Sequence, residues 1–586
     1  MHVRQYALIS LALFVFSEMT ASAQISSDTA CLYALNAGGQ AFTPAGGSGS
    51  IAIVAPQGCT WTVTGPPGWV TPTSSATGSG NGTLTYQVGV NAAGDRSSAI
   101  AIAGVSFTVE QEAGTLPGLA FIGSIAHLAA EENWTTAFTI VNKDTISAIA
   151  RLSFSGDAID PSGNGPLTLP LVFPQQPPAT LPLLAASLDR TVAPNASLIV
   201  DTAGAQAPPV LVGSAQLMAT GSLDGFAIFH QIATNQEAVV PLETRSARSY
   251  LLVFDNTGGL TLGVALDNVS AQTASIPVII RSDNGTVISA PGTAISLAGN
   301  GHTSFVLADP VLGFPVTANI RGTIEFDTPA GGRISVLGLR FTPPNNALTT
   351  IPAVANVGTN GGSIAHLATG NGWQTTFVLV NVGANAAQVN LNFFDDNGIP
   401  LSLPLSFPQS GGGSATVAPA VNQVLAAGAT LIVESAAPES DPAPTVGSAQ
   451  LTTNGNVGGY VIFRYNLDGQ EAVVPLENRN ANAYILAFDN TADISTGIAI
   501  NSVATQVVNI PVTVRDVTGA QIVTDTITLN PNGHLSFTLA TDKYPATAGI
   551  RGTIEFDTPA NAQIGALGIR IPAAAHTFTT LPALAK

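Results

Sequence analysis

Two long stretches of this chain are copies of each other, and that duplication constrains the fold more than any other feature. GSIAHLAAEENWTTAFTIVN at 123–142 returns as GSIAHLATGNGWQTTFVLVN at 362–381. VGSAQL at 212–217 and 446–451, QEAVVPLE at 236–243 and 470–477, and VFDNT at 253–257 against AFDNT at 487–491 keep the same order. IRGTIEFDTPA closes each series, at 320–330 and 550–560. Residues 117–586 therefore form a tandem duplication whose halves must fold alike.

Each half also reads as two related units. WTTAFTIVN at 134–142 and YLLVFDN at 250–256 share an aromatic start, an apolar run and a closing Asn, and Trp373 to Asn381 compares likewise with Tyr484 to Asn490. SLIV at 197–200 aligns with SFVL at 304–307, and VGSAQL with IRGTIEF. The aromatic starts lie about one compact domain apart along the chain. The expected divisions are a secretory signal at 1–23, an N-terminal module at 24–113, and repeat modules at 117–245, 246–355, 356–478 and 479–586.

Inside the modules, runs rich in Val, Ile, Thr and Phe stop at Asn-Gly, Gly-Gly or Pro clusters, the pattern of short strands. SDNG at 282–285 and DDNG at 395–398 mark hairpins, for which a type I′ turn is expected. The fold class is all-β, as tandem Ig-like antiparallel β-sandwiches. In IRGTIEF, alternation puts Ile320, Gly322, Ile324 and Phe326 on one face and Arg321, Thr323, Glu325 and Asp327 on the other. The paired carboxylates then lie on a solvent face, within reach of arginines such as Arg340 and Arg570, and cross-strand ion pairing accounts for them without chemistry.

The first residues have the parts of an export signal: His2 and Arg4, an apolar run from Ala7 to Phe16, and Ala21-Ser22-Ala23 as the cleavage site. No later stretch reaches the roughly 18 apolar residues needed to span a bilayer as a helix. A secreted or cell-surface location follows. In that compartment the two cysteines, Cys31 and Cys59, read as one disulfide. Only 9% of residues are charged, Lys143, Lys543 and Lys586 are the lysines, and the net charge is −18, so nucleic acid is excluded as a partner.

Catalytic signatures are missing from the sequence. Adjacent carboxylates such as Glu131-Glu132 and Asp395-Asp396 face opposite ways on an extended strand. His127 and His366 recur with the repeat, as do His302 and His534, but as single residues without metal-ligand spacing. There is no Gly-x-Ser-x-Gly elbow. No catalytic residue, metal or cofactor is expected, and the protein reads as a non-enzyme.

Residues 31–111 have a different texture. They carry Gly-Gly-Ser-Gly-Ser at 46–50, Cys59-x-Trp61, Trp69 after Gly-Pro-Pro-Gly, GSGNGTLTYQVGVN at 78–91, Arg96 and a closing Val-Glu-Gln at 109–111. This stretch resembles the BACON family of small Ig-like sandwiches, named for proposed carbohydrate binding. The resemblance implies a sandwich with a glycan-binding or spacer role, with Trp61 and Trp69 as the family's tryptophans. Trp61 is expected in the core. Trp69, Trp134 and Trp373 are the candidates for stacking on a ligand.

The expected function is extracellular binding or adhesion, with a glycan or a surface protein as partner and carbohydrate the first candidate. The repeats then act as a spacer or as multiple weak sites. A structural stalk or surface-layer component without a specific ligand is the alternative, and a carbohydrate-active accessory or hydrolase the third reading.

Overall fold

A computed structural model describes residues 31–157, 165–176, 181–204, 209–343, 347–358, 361–411, 414–572 and 577–586. The proposed signal at 1–23 lies outside the described residues. The chain is all-β, a series of tandem antiparallel sandwiches. In the first repeat module one sheet orders Ala120–Ala130, Leu211–Ala219, Ala148–Gly156 and Ser187–Val192. The facing sheet centres on Trp134–Asn142, flanked by Ser197–Thr202 and Leu223–Gln231, with Gln236–Pro241 beyond. Alternation drives the layering: Ala148, Ala150, Leu152 and Phe154 point inward and are buried, while the residues between them are half-exposed.

The second module repeats this order with Ser249–Asp255, Arg321–Asp327, Ala274–Ser282 and Ala294–Leu297 in one sheet. Thr261–Asn268 is central in the other, between His302–Val306 and Ile334–Thr342. This shifts the expected match by one strand. Trp134 opens a second strand, whereas Tyr250 lies in a first strand, so the true equivalent of Trp134–Asn142 is Thr261–Asn268. Their terminal asparagines show it: Asn142 Nδ2 donates to the carbonyls of Ile146, Val192 and Ala193, and Asn268 Nδ2 to those of Gln272, Leu297 and Ala298.

The repeated carboxylate strand is interior rather than half-solvated. Arg321–Asp327 pairs on both sides, with Ser249–Asp255 and Ala274–Ser282, and Thr323 is fully buried. Glu325 pairs with Arg281 Nη1 at 2.6 Å and accepts from Ser249 Oγ at 2.6 Å. Glu555 pairs with Arg515 at 2.5 Å and with Lys586 at 2.6 Å. Cross-strand pairing is therefore present, but with Arg281 and Arg515 in place of Arg340 and Arg570.

The turns at 282–285 and 395–398 are where the sequence puts them, but only their glycines have positive φ, +91° at Gly285 and +79° at Gly398. A type I′ turn needs two such residues, so this expectation is corrected. The tips reach outward into the next module. Thr430 N donates to Asp283 O at 2.9 Å, His534 N to Asp396 O at 3.2 Å, and Ser197 N to Val517 O, from the corresponding turn of the fourth module, at 3.1 Å. In the first module Asp157 bridges to His302. A Cβ on Gly398 would lie 1.8 Å from the carbonyl oxygen of Pro531, so the glycine is needed for the approach as well as for the turn.

These joints run first to second, second to third, third to fourth and fourth back to first. The repeats therefore close into a ring. Where the second module meets the third, Val378, Val380, Tyr460 and Ile462 join the second module's core. Where the fourth meets the first, Phe226 and Ile228 pack with Ile485 and Leu584. Arg340 crosses the former junction to Glu471 at 3.0 Å, and Arg570 crosses the latter to Glu237 at 2.9 Å.

The N-terminal module adds its own four-stranded sheet. Its second sheet is not separate: Gly39–Phe42 pairs in parallel with Leu183–Ala185, making one sheet continuous with the first repeat module. Cys31 and Cys59 are bonded, with Cα atoms 5.6 Å apart and a sequence separation of 28. Replacing both with serine is expected to lower this module's stability by about 3–4 kcal/mol on the loop-entropy account. Denaturation followed by the fluorescence of Trp61 and Trp69 measures it, and an unchanged midpoint would refute the assignment.

Candidate functional site

The recurring histidines are brought together in pairs across module joints. Strand Ala120–Ala130 carries His127, and strand His302–Val306 of the next module begins with His302. Their rings stack with centroids 5.2 Å apart, His127 Nδ1 lying 3.2 Å from His302 Nε2. His302 Nδ1 lies 3.0 Å from Asp157 Oδ2, which also accepts from Ser304 Oγ at 2.8 Å. The second copy is the same: His366 Nδ1 is 3.1 Å from His534 Nε2, and His534 Nδ1 is 2.7 Å from Asp396 Oδ1. Each histidine looks solitary in its own module because its partner comes from the neighbour. The repetition of 127 with 302 and 366 with 534 in the same halves was the available signal.

Asp396 accepts from the Nδ1–H of His534, whose Nε2 shares one hydrogen with His366 Nδ1. Burial, aided by His534, pushes the His366 imidazole down to about 3, and burial with His302 does the same to His127. Both rings are neutral near pH 7. The hydrogen bond from His534 holds the Asp396 carboxyl below its ordinary range.

The two copies differ in access. His302 and Asp157 are sealed, whereas the Asp396 side chain is 58% exposed and His366 lines a groove of roughly 520 Å³ between the third and fourth modules. Trp373 dominates one wall. It opens the strand Trp373–Asn381, packing 5.0 Å from the Tyr465 ring and 5.1 Å from Phe578. Phe463, Phe537 and Ile569 continue the apolar surface, and Asp468, Ser536, Asp542 and Thr577 supply polar edges. The backbone hydrogen bond from Thr538 holds the Asp542 carboxyl below its ordinary range. The first half lacks this cluster, because Gln231 pairs with Trp134 where Tyr465 pairs with Trp373, and Leu348 stands where Phe578 does.

Of the expected stacking residues, Trp373 lines the groove. Trp134 is partly buried against the first module's core. Trp69 is partly buried, with the Arg96 guanidinium 4.5 Å over its ring. Trp61 is in the core, its Nε1 donating to Gly80 O at 3.0 Å. Among the described residues no group of three or more His, Cys, Asp or Glu side chains is arranged to hold a metal ion, and no helix is long and apolar enough to cross a membrane.

No protein family matches this chain, and no curated protein matches it in sequence. Among solved structures, a mutant of Salmonella alpha-2-macroglobulin aligns over 94% of this chain and 46% of its own, at 9% identity and a TM-score of 0.13. The chain spans less than half of that protein's length. Agreement of that order carries no inference about fold or function.

Proposed function

We propose that this is an exported, non-catalytic binding protein whose ligand-contacting surface is the aromatic groove between the third and fourth repeat modules, with carbohydrate as the ligand class. The observation that carries this reading is the convergence of Trp373, Tyr465 and Phe578 beside the polar edges of the groove. Sugars present C–H faces that stack on aromatic rings and a rim of hydroxyls that need donors and acceptors. The groove offers both, and it is wide enough for a ring or two within the usual pocket range of about 300–1,000 Å³. The disulfide fits an oxidising, extracytoplasmic setting. The resemblance of residues 31–111 to BACON modules supports the same class independently.

The test is a glycan array probed with the full chain, followed by calorimetry on the best ligand. Trp373→Ala is expected to weaken binding at least tenfold, consistent with the roughly 2 kcal/mol or more that a central aromatic anchor contributes. Trp134→Ala should leave it unchanged. Equal losses in both variants, or no glycan bound by the folded chain, would refute the proposal.

A further inference from the structure

Closing the ring creates a second site, on its axis. Gln236–Pro241, Ala347–Pro352, Gln470–Pro475 and Thr579–Leu581, one strand from each repeat module, surround a chamber of roughly 500 Å³. Its walls are largely Val, Leu, Pro and Ala, drawn from all four repeat modules. Two arginines from equivalent places in the halves enter it, Arg245 and Arg479, with side chains 45% and 48% exposed. Both guanidinium-bearing residues line the same chamber.

The donors and acceptors do not balance. Arg245 spends Nε and Nη2 on Glu243 and also reaches the Ala353 carbonyl through Nη2. Arg479 does the same with Glu477 and the Ala583 carbonyl. The remaining acid on the wall, Asp224, is paired with Lys143 at 3.3 Å. Cations and carboxylates on the wall balance one for one, and Nη1 of both half-exposed arginines is left without a protein partner among the described residues. An acceptor entering the chamber meets those two donors beside an apolar wall.

We propose that the axial chamber binds an amphiphilic monocarboxylate, its head held between Arg245 and Arg479 and its hydrocarbon body along the apolar strands. A carboxylate takes charge-assisted hydrogen bonds from the Nη1 groups of both arginines, roughly twice as strong as those a neutral head group accepts. This site is separate from the aromatic groove and stands whether or not the groove binds sugar.

Calorimetry on the full chain with decanoate and with decanol tests it. Decanoate should bind once per chain and at least tenfold more tightly than decanol. R245Q/R479Q should remove that preference, and Ala353→Trp, which puts an indole into the chamber beside Arg245, should weaken binding of both at least tenfold. Should those variants not fold, wild-type crystals grown with ω-bromodecanoate locate the ligand by anomalous scattering. Bromine density in the chamber supports the proposal. Density elsewhere only, none at saturating ligand, or equal affinity for decanoate and decanol would overturn it.

Discussion

Glu471→Ala is expected to destabilise the protein by about 3–5 kcal/mol, the range for removing one member of a buried ion pair. Glu471 is 2% exposed and sits where the second module meets the third. It takes Arg340 Nε at 3.0 Å, Arg464 Nη1 at 2.9 Å and the hydroxyl of Thr342 at 2.9 Å. Deleting it leaves two mostly buried guanidiniums without a counter-charge, and the cost of that exceeds the net worth of the pair. A chain of several modules does not unfold in one step, so the effect is best read locally. Hydrogen exchange in Ala347–Pro352 and Gln470–Pro475 should accelerate by roughly a hundredfold or more. Replacing all three charges, as E471L/R340M/R464L, should recover much of the loss because well-packed apolar groups have no desolvation cost to offset. Protection unchanged in Glu471→Ala would mean that this junction does not hold the ring.

Asp267→Asn is expected to act in the opposite direction and to depend on pH. Asp267 is fully buried at the joint of the first and second modules, accepting from Ser214 Oγ at 3.0 Å, and burial pushes its carboxyl up to about 7. Unfolded, it titrates at about 3.9. Between those values the native state holds a proton that the unfolded state has lost, so stability falls by about 1.4 kcal/mol per pH unit as pH rises through that window. Above it, the wild type carries roughly 4 kcal/mol of charge-burial cost. Asparagine removes that cost but leaves an amide N–H to satisfy, so a net gain of about 2–3 kcal/mol is expected at pH 8, shrinking to nothing or reversing below pH 4. The second copy already has Asn501 at the equivalent place, buried with its amide unpaired. His127 and His366, held neutral in the fold, make both proteins lose stability as pH falls below about 6.5, and they cancel in the difference. Denaturation of the two proteins at pH 5 and pH 8 measures it. An advantage equal at both would show that Asp267 is ionised throughout.

The strands and their layering were legible because both are written locally, in alternation and turn residues. Of the quarter-level matches, SLIV with SFVL and VGSAQL with IRGTIEF fall on equivalent strands; that of Trp134 with Tyr250 slipped by one strand because an aromatic start is shared by first and second strands, whereas the asparagine bonding that distinguishes them needs three-dimensional partners. Glu325 looked solvated for a related reason. Period-two alternation tells which residues share a face but not whether a neighbouring module covers it. The groove was half legible: Trp373 stood out as a repeated tryptophan, but Tyr465 and Phe578 gave no signal, since the other copy has Gln231 and Leu348 there. The histidine pairs were hidden because each spans more than a whole module of sequence.

The way the hairpin tips of the second, third and fourth modules lodge in the next one has a consequence for assembly. Both the junction of the second module with the third and that of the fourth with the first use equivalent contacts, Arg340 with Glu471 and Arg570 with Glu237. Two separate half-length polypeptides, cut near residue 358, would present each other with the same complementary ends, so the present chain has the layout of a homodimer whose subunits were joined head to tail. Once fused, the halves were free to diverge, and they have done so at the groove, where Tyr465 and Phe578 stand in place of Gln231 and Leu348.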